Sequence, residues 1–116
     1  MASERRIEKL NIFLKEEFAS ILARESEVRE EALVTVTRVE VSPDLLHAAV
    51  YLSILDTAPE RVLEKLNKNV YHIQQILNKR LRMRPVPKIR FLIDAEEIKR
   101  EKIEKSLAEL KRKGEI

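Results

Sequence analysis

The chain has no cysteine, and its one glycine is Gly114. The first absence excludes disulfides and thiolate metal sites. The second excludes a phosphate-cradling loop, which needs glycines at several fixed positions. Aromatic residues are few: Phe13, Phe18, Tyr51, Tyr71 and Phe91. No apolar run approaches the roughly 20 residues that cross a bilayer. The opening Met1-Ala2-Ser3-Glu4-Arg5-Arg6 has none of the apolar stretch of a secretory leader. The expectation is a cytoplasmic protein with no membrane partner.

The most informative gap is in charge of one sign. From Lys65 to Ile93 there is no Asp or Glu. The same stretch holds Lys65, Lys68, Lys79, Arg80, Arg82, Arg84, Lys88 and Arg90, which is +8. The whole chain is +3, so everything outside the stretch sums to 3 − 8 = −5. Solvated helix faces usually mix signs. A segment polarised this strongly marks a footprint for a polyanion, most often nucleic acid. Only Tyr71 and Phe91 are interleaved with these cations, so a platform for stacked bases has little support inside the stretch.

What is present suits one globular domain. The chain has 116 residues, 44% of them apolar and 37% charged, against a usual charged share of about 25%. Ser3 and Glu4 start a helix. Ile7, Leu10, Phe13, Leu14, Phe18, Ile21 and Leu22 follow at spacings of three and four and predict one buried face. Arg24 to Glu31 is polar and without period, and reads as a loop. From Leu33 the period becomes two. Val34 and Val36 shift parity to Val39 and Val41, which a one-residue bulge near Thr37 or Arg38 repairs. Ser42-Pro43-Asp44 is a turn signal. Ala48, Val50, Leu52 and Ile54 then complete an antiparallel hairpin.

Thr57, Pro59 and Glu60 predict a capped helix start. Its apolar period passes through Val62, Leu63 and Leu66, then Val70, Ile73, Ile76, Leu77 and Leu81, with an end near Met83. Asn67-Lys68-Asn69 falls at a phase break and predicts a kink or two abutting helices. Arg84-Pro85-Val86-Pro87 stops the helix. Ile89, Phe91 and Ile93 alternate with Lys88, Arg90 and Leu92, giving a third strand with a basic outer face, parallel to the second through a right-handed crossover. Asp94 to Glu97 opens a last helix. Its sparse Ile98, Ile103, Leu107 and Leu110 predict weak attachment to the surface and fraying from Lys111. The order α-β-β-α-kink-α-β with a tail helix is an α+β two-layer sandwich.

Catalytic constellations are missing. His47 and His72 are the only imidazoles, and neither has a second ligand type at metal-binding spacing. The serines have no His or Asp placed to activate them. Adjacent carboxylates such as Glu16-Glu17 and Glu96-Glu97 point apart on a helix. The expectation is a non-enzymatic protein with no metal, no cofactor and no small-molecule substrate.

Two stretches carry a resemblance. The first runs from Val36 through Val41-Ser42-Pro43-Asp44-Leu45 to Ser53. The second runs from Ile73 through Leu81-Arg82-Met83-Arg84-Pro85-Val86-Pro87-Lys88-Ile89-Arg90 to Phe91. Together with the order of elements they resemble KH-like domains of the prokaryotic type (type II), and more closely the ribosome-binding factor A family, over about residues 3 to 105. The resemblance implies an rRNA-binding domain over residues 1–95 and a charged C-terminal helix or tail over residues 96–116. It implies a factor that binds the small (30S) ribosomal subunit and its 16S rRNA, assists maturation including 5′-end processing, and is linked to cold adaptation. It implies no enzymatic activity.

RNA-binding KH domains carry a Gly-x-x-Gly loop between paired helices, and this family a glycine-containing kink. Here Asn69-Val70-Tyr71 stands at that place, and Asn is the residue that best tolerates left-handed geometry there. The cations from Lys65 to Arg90 are therefore the expected rRNA contacts, by shape and charge, with Arg80 and Arg84 sharing a helix face. Reversing that pair is expected to abolish subunit binding and spare the fold. Two rival readings stay open: a generic KH-like binder of single-stranded RNA, and a protein–protein adaptor using the last helix as a dimer seam. A monomer is the expected state.

Overall fold

The computed structural model describes residues 3–24 and 33–112. Most of the predicted loop, from Glu25 onward, lies outside these residues, as does the chain after Arg112. The described elements are α1 (Glu4–Arg24), β1 (Leu33–Val41), β2 (His47–Leu55), α2 (Pro59–Lys68), α3 (Val70–Arg80), β3 (Lys88–Ile93) and α4 (Ala95–Arg112). The sheet order is β1-β2-β3. β1 and β2 are antiparallel, and β2 and β3 are parallel. The register slips between Val36 and Arg38. Thr37 is thus the extra residue that returns Val39 and Val41 to the face of Val36.

One face of the sheet carries the core. Val36, Val39, Val41, Ala48, Val50, Leu52, Ile89 and Phe91 meet Leu14, Phe18, Ile21 and Leu22 of α1, Val62 and Leu66 of α2, and Ile73 and Leu77 of α3. Phe18 and Phe91 pack edge to face, with centroids 6.2 Å apart and planes at 82°. Each such fully buried side chain contributes roughly 1.5–3 kcal/mol. Phe13 departs from the predicted stripe: it is 45% exposed. It follows Ile12 around the helix, away from the Leu14–Phe18–Ile21 line that faces the sheet.

Side-chain amides occupy outward backbone groups of both edge strands. On β3, Asn67 Nδ2 donates to the Phe91 carbonyl and the Phe91 N–H donates to Asn67 Oδ1, both at 3.3 Å. Gln74 Nε2 donates to the Pro87 carbonyl and the Ile89 N–H donates to Gln74 Oε1, both at 3.0 Å. On β1, the Val41 N–H donates to Asn11 Oδ1 at 2.9 Å. The four bonds on β3 leave that edge less able to template pairing with another chain.

The turn between β1 and β2 is held by Ser42 and Asp44. Ser42 Oγ donates to Asp44 Oδ1 at 2.6 Å, and the Leu46 N–H donates to the same oxygen at 3.0 Å. The Leu45 N–H closes the turn on the Ser42 carbonyl at 2.8 Å. Leu45 has φ 63°, a left-handed conformation that costs a non-glycine residue about 1–2 kcal/mol.

Two helix boundaries and the attachment of the last helix differ from the sequence reading. Thr57 does not cap α2: the N-cap is Ala58, with no side-chain cap bond, and its N–H donates to Asp56 Oδ2 at 2.9 Å. α3 ends at Arg80, with Leu81 already extended, several residues before Met83. Among the described residues α4 has at most slight contact with any other element, and Ile103 and Leu107 stand 61% and 47% exposed. Its start is nevertheless anchored. Buried Asp94 accepts Thr37 Oγ1–H at 2.6 Å and the Glu96 N–H at 3.1 Å.

Candidate nucleic-acid interface

The kink is a single residue. Asn69 ends α2 and begins α3, with φ −97° and ψ 8°. Its N–H donates to the Lys65 and Leu66 carbonyls, and its carbonyl accepts from the Ile73 N–H. This is the bridge region, open to ordinary residues, so left-handed geometry is not used and no glycine is required. Val70 and Tyr71 are the first two residues of α3. Tyr71 is 75% exposed, beside the α2 end that carries Lys68.

The structure does not bring the eight cations onto one surface. Lys65, Lys68 and Lys79 stand exposed on the helical layer. Lys68 Nζ lies 3.2 Å from Glu64 Oε1 in an exposed i, i+4 pair, an arrangement worth little at a surface. Lys88 and Arg90 alternate with buried Ile89 and Phe91 and so project from the helix-free face of the sheet. Arg82 is exposed in the link between α3 and β3.

Two of the cations are engaged within the fold. Arg80 Nη1 lies 3.2 Å from Glu17 Oε2 and 3.4 Å from Ser20 Oγ on α1. Arg84 folds back on the end of α3: Nη1 donates to the Leu81 and Met83 carbonyls at 2.8 and 2.7 Å, and Nη2 to the Asn78 carbonyl at 3.1 Å. A helix end leaves carbonyls without intrahelical partners, and a planar guanidinium reaches several at once. The two arginines do not share a helix face, because α3 has ended before Arg84. Lys79, Arg82, Lys88 and Arg90 have no ion-pair or hydrogen-bond partner among the described residues.

The helix-free sheet face also holds groups that lie far from the basic stretch in sequence. Glu40, His47, Ala49, Tyr51, Lys88 and Arg90 line a shallow concavity of about 520 Å³. The Arg38 guanidinium lies over the Tyr51 ring, 3.8 Å from its centroid. It pairs with Glu40, and its Nε is 3.5 Å from Asp94 Oδ2. Partial desolvation lowers the Arg38 pKa, and the nearby carboxylates outweigh it, so the group sits above its ordinary value. Sequence reading passed over Arg38, Glu40 and Tyr51, since they lie before the cationic run. The register that sets Ala49 opposite Arg90 and His47 opposite Lys88 is what assembles them. Phe91 is buried against Phe18 and cannot serve as an exposed stacking ring.

A hairpin and a parallel third strand, two helices abutting at one residue and a first helix beneath the sheet define a KH-like α+β domain with cations on more than one surface. Comparison with known proteins narrows this. The family model described as ribosome-binding factor A matches residues 6–107. The chain is 38% identical over 92 residues to ribosome-binding factor A of Vibrio campbellii, covering 77% of this chain and 68% of that one. The crystal structure of ribosome-binding factor A from Thermus thermophilus superposes with a TM-score of 0.56 at 28% identity, over 71% of this chain and 93% of that one. A homology model of the Thermus thermophilus factor, as fitted into a cryo-EM map of a complex with 30S, gives 0.52 at 26% identity, over 69% and 90%. The chain belongs to the ribosome-binding factor A family.

Proposed function

We propose that this chain binds the small ribosomal subunit through its 16S rRNA and assists subunit maturation, including processing of the rRNA 5′ end. It acts as a monomer in the cytoplasm, with a role in cold adaptation, and without catalysis, cofactor or small-molecule substrate. The observation that carries this reading is the likeness to a factor whose homology model was fitted into a map of its 30S complex. No described helix is long and apolar enough to cross a membrane.

Exposure and the lack of a protein partner among the described residues support a choice among the cations. Lys79, Arg82, Lys88 and Arg90 meet phosphates directly. Lys65 and Lys68 extend the positive field past Asn69, Val70 and Tyr71. Arg80 and Arg84 act through the fold, by holding α3 in place. The domain of residues 1–95 supplies these contacts, and residues 96–116 form a charged extension.

Co-sedimentation with isolated small subunits, large subunits and whole ribosomes across a salt series tests the reading. Retention on small subunits is expected. Four phosphate contacts predict a slope of about −3 in log affinity against log salt. Equal retention on every particle and on short oligonucleotides would replace the reading with a generic single-stranded RNA binder.

A further inference from the structure

We infer that the helix-free face of the sheet, which carries the phosphate contacts Lys88 and Arg90, takes one unpaired nucleotide with its base over Ala49 and its phosphate at those two cations. This deepens the proposed function by naming the kind of RNA element that the sheet meets.

Three observations carry it. The first is shape. His47, Ala49 and Tyr51 point to one side of β2 in steps of two. Ala49, with a single methyl, leaves the middle of this row low. The resulting concavity of about 520 Å³ is open on the side away from the helices.

The second is the stacking surface. Arg38 covers one side of the Tyr51 ring at 3.8 Å, and Tyr51 lines the concavity. Arg38 is itself held by Glu40 and Asp94, so the ring is braced from behind. Stacking on an aromatic side chain is the sequence-tolerant way to hold an unpaired base.

The third is the distribution of charge. The carboxylates of Glu40 and Asp94 gather at Arg38. Lys88 and Arg90, paired in register with His47 and Ala49, have no acidic partner among the described residues. The face thus has an aromatic end and a cationic end, the polarity of a nucleotide with its base and phosphate. An acidic peptide would satisfy the cations and leave the aromatic end unused.

The test is an NMR titration of the full chain with pentaadenylate, and with a pentamer of the same backbone lacking bases. Amide shifts are expected at 47–51 and 88–92, with pentaadenylate binding at least tenfold tighter than the abasic strand. Ala49→Leu fills the concavity without touching charge or core, and should bring pentaadenylate down to the abasic affinity with an unchanged melting temperature. Equal affinity for the two strands, or wild-type affinity in Ala49→Leu, would overturn the inference. Should Ala49→Leu not fold, Tyr51→Leu gives the same readout. The titration uses no ribosome. A chain that fails to co-sediment with subunits can still show the nucleotide site, and a chain that co-sediments can still lack it.

Discussion

Arg80 Nη1 sits 3.2 Å from Glu17 Oε2, joining α3 to α1. Both side chains are 26% exposed, so the pair is screened less than a surface bridge. Arg80→Glu should cost about 1 kcal/mol and lower the melting temperature by about 4 °C. Adding Glu17→Arg should restore most of the loss. A charge-swapped double variant that melts no higher than Arg80→Glu alone would refute the link. The joint reversal of Arg80 and Arg84 is accordingly a poor probe of subunit binding, since it strikes the fold.

Arg84 and Arg82 should separate cleanly. Arg84→Ala removes a charged group from three carbonyls and should cost about 2 kcal/mol. Arg84→Lys should recover little, because an ammonium cannot span the same fork. Arg82→Ala should leave melting unchanged and weaken subunit binding several-fold. Thermal unfolding and co-sedimentation on the same three proteins decide this, and a destabilised Arg82→Ala would be the adverse result.

The amides on β3 make a prediction about solubility. Asn67→Ala together with Gln74→Ala strips four hydrogen bonds from the edge strand. Each backbone group left unsatisfied costs about 1–3 kcal/mol, and an open edge invites pairing with a second chain. Lower melting and concentration-dependent light scattering are expected. A double variant that stays monodisperse and melts normally would show that the amides do not protect the edge.

The turn at Asp44 should respond to acid. The hydrogen bond from the Ser42 hydroxyl, and then that from the Leu46 N–H, hold its carboxyl below the usual carboxylate range. A depressed folded-state pKa gives stability that is complete above the unfolded value of about 4 and is lost as pH falls through the folded value. Ser42→Ala should move the Asp44 titration, followed by carbon NMR, upward toward the ordinary value. A midpoint unmoved by Ser42→Ala would remove the hydroxyl as the cause.

The fold was readable from periodicity wherever one face is buried. The parity break between Val36 and Val39 announced the bulge at Thr37, and the paired Asn residues announced the junction at Asn69. Reading erred where one local signal met a competing contact, near in sequence or distant. Thr57 has the capping residue type, yet Asp56 takes the Ala58 N–H. Leu81 continues the apolar period because it is buried, even though its backbone has left the helix. The candidate site was half legible. The cationic run is a property of sequence, but the engagement of Arg80 and Arg84 depends on a partner in α1 and on where α3 stops. The concavity depends on strand register, which sets residues about forty positions apart side by side.

The free-standing α4 governs how the protein travels through solvent. A helix of 18 residues is about 27 Å long, and the chain measures 57 × 34 × 18 Å with a radius of gyration of 16.6 Å. A compact chain of this length would have a radius of gyration of about 13 Å. Its drag exceeds that of a sphere of equal mass, so it leaves a gel-filtration column early and tumbles unevenly about its axes. On a column calibrated with globular standards, one copy reads heavier than it is. Stoichiometry is therefore a question for light scattering or sedimentation equilibrium, which weigh particles independently of their outline.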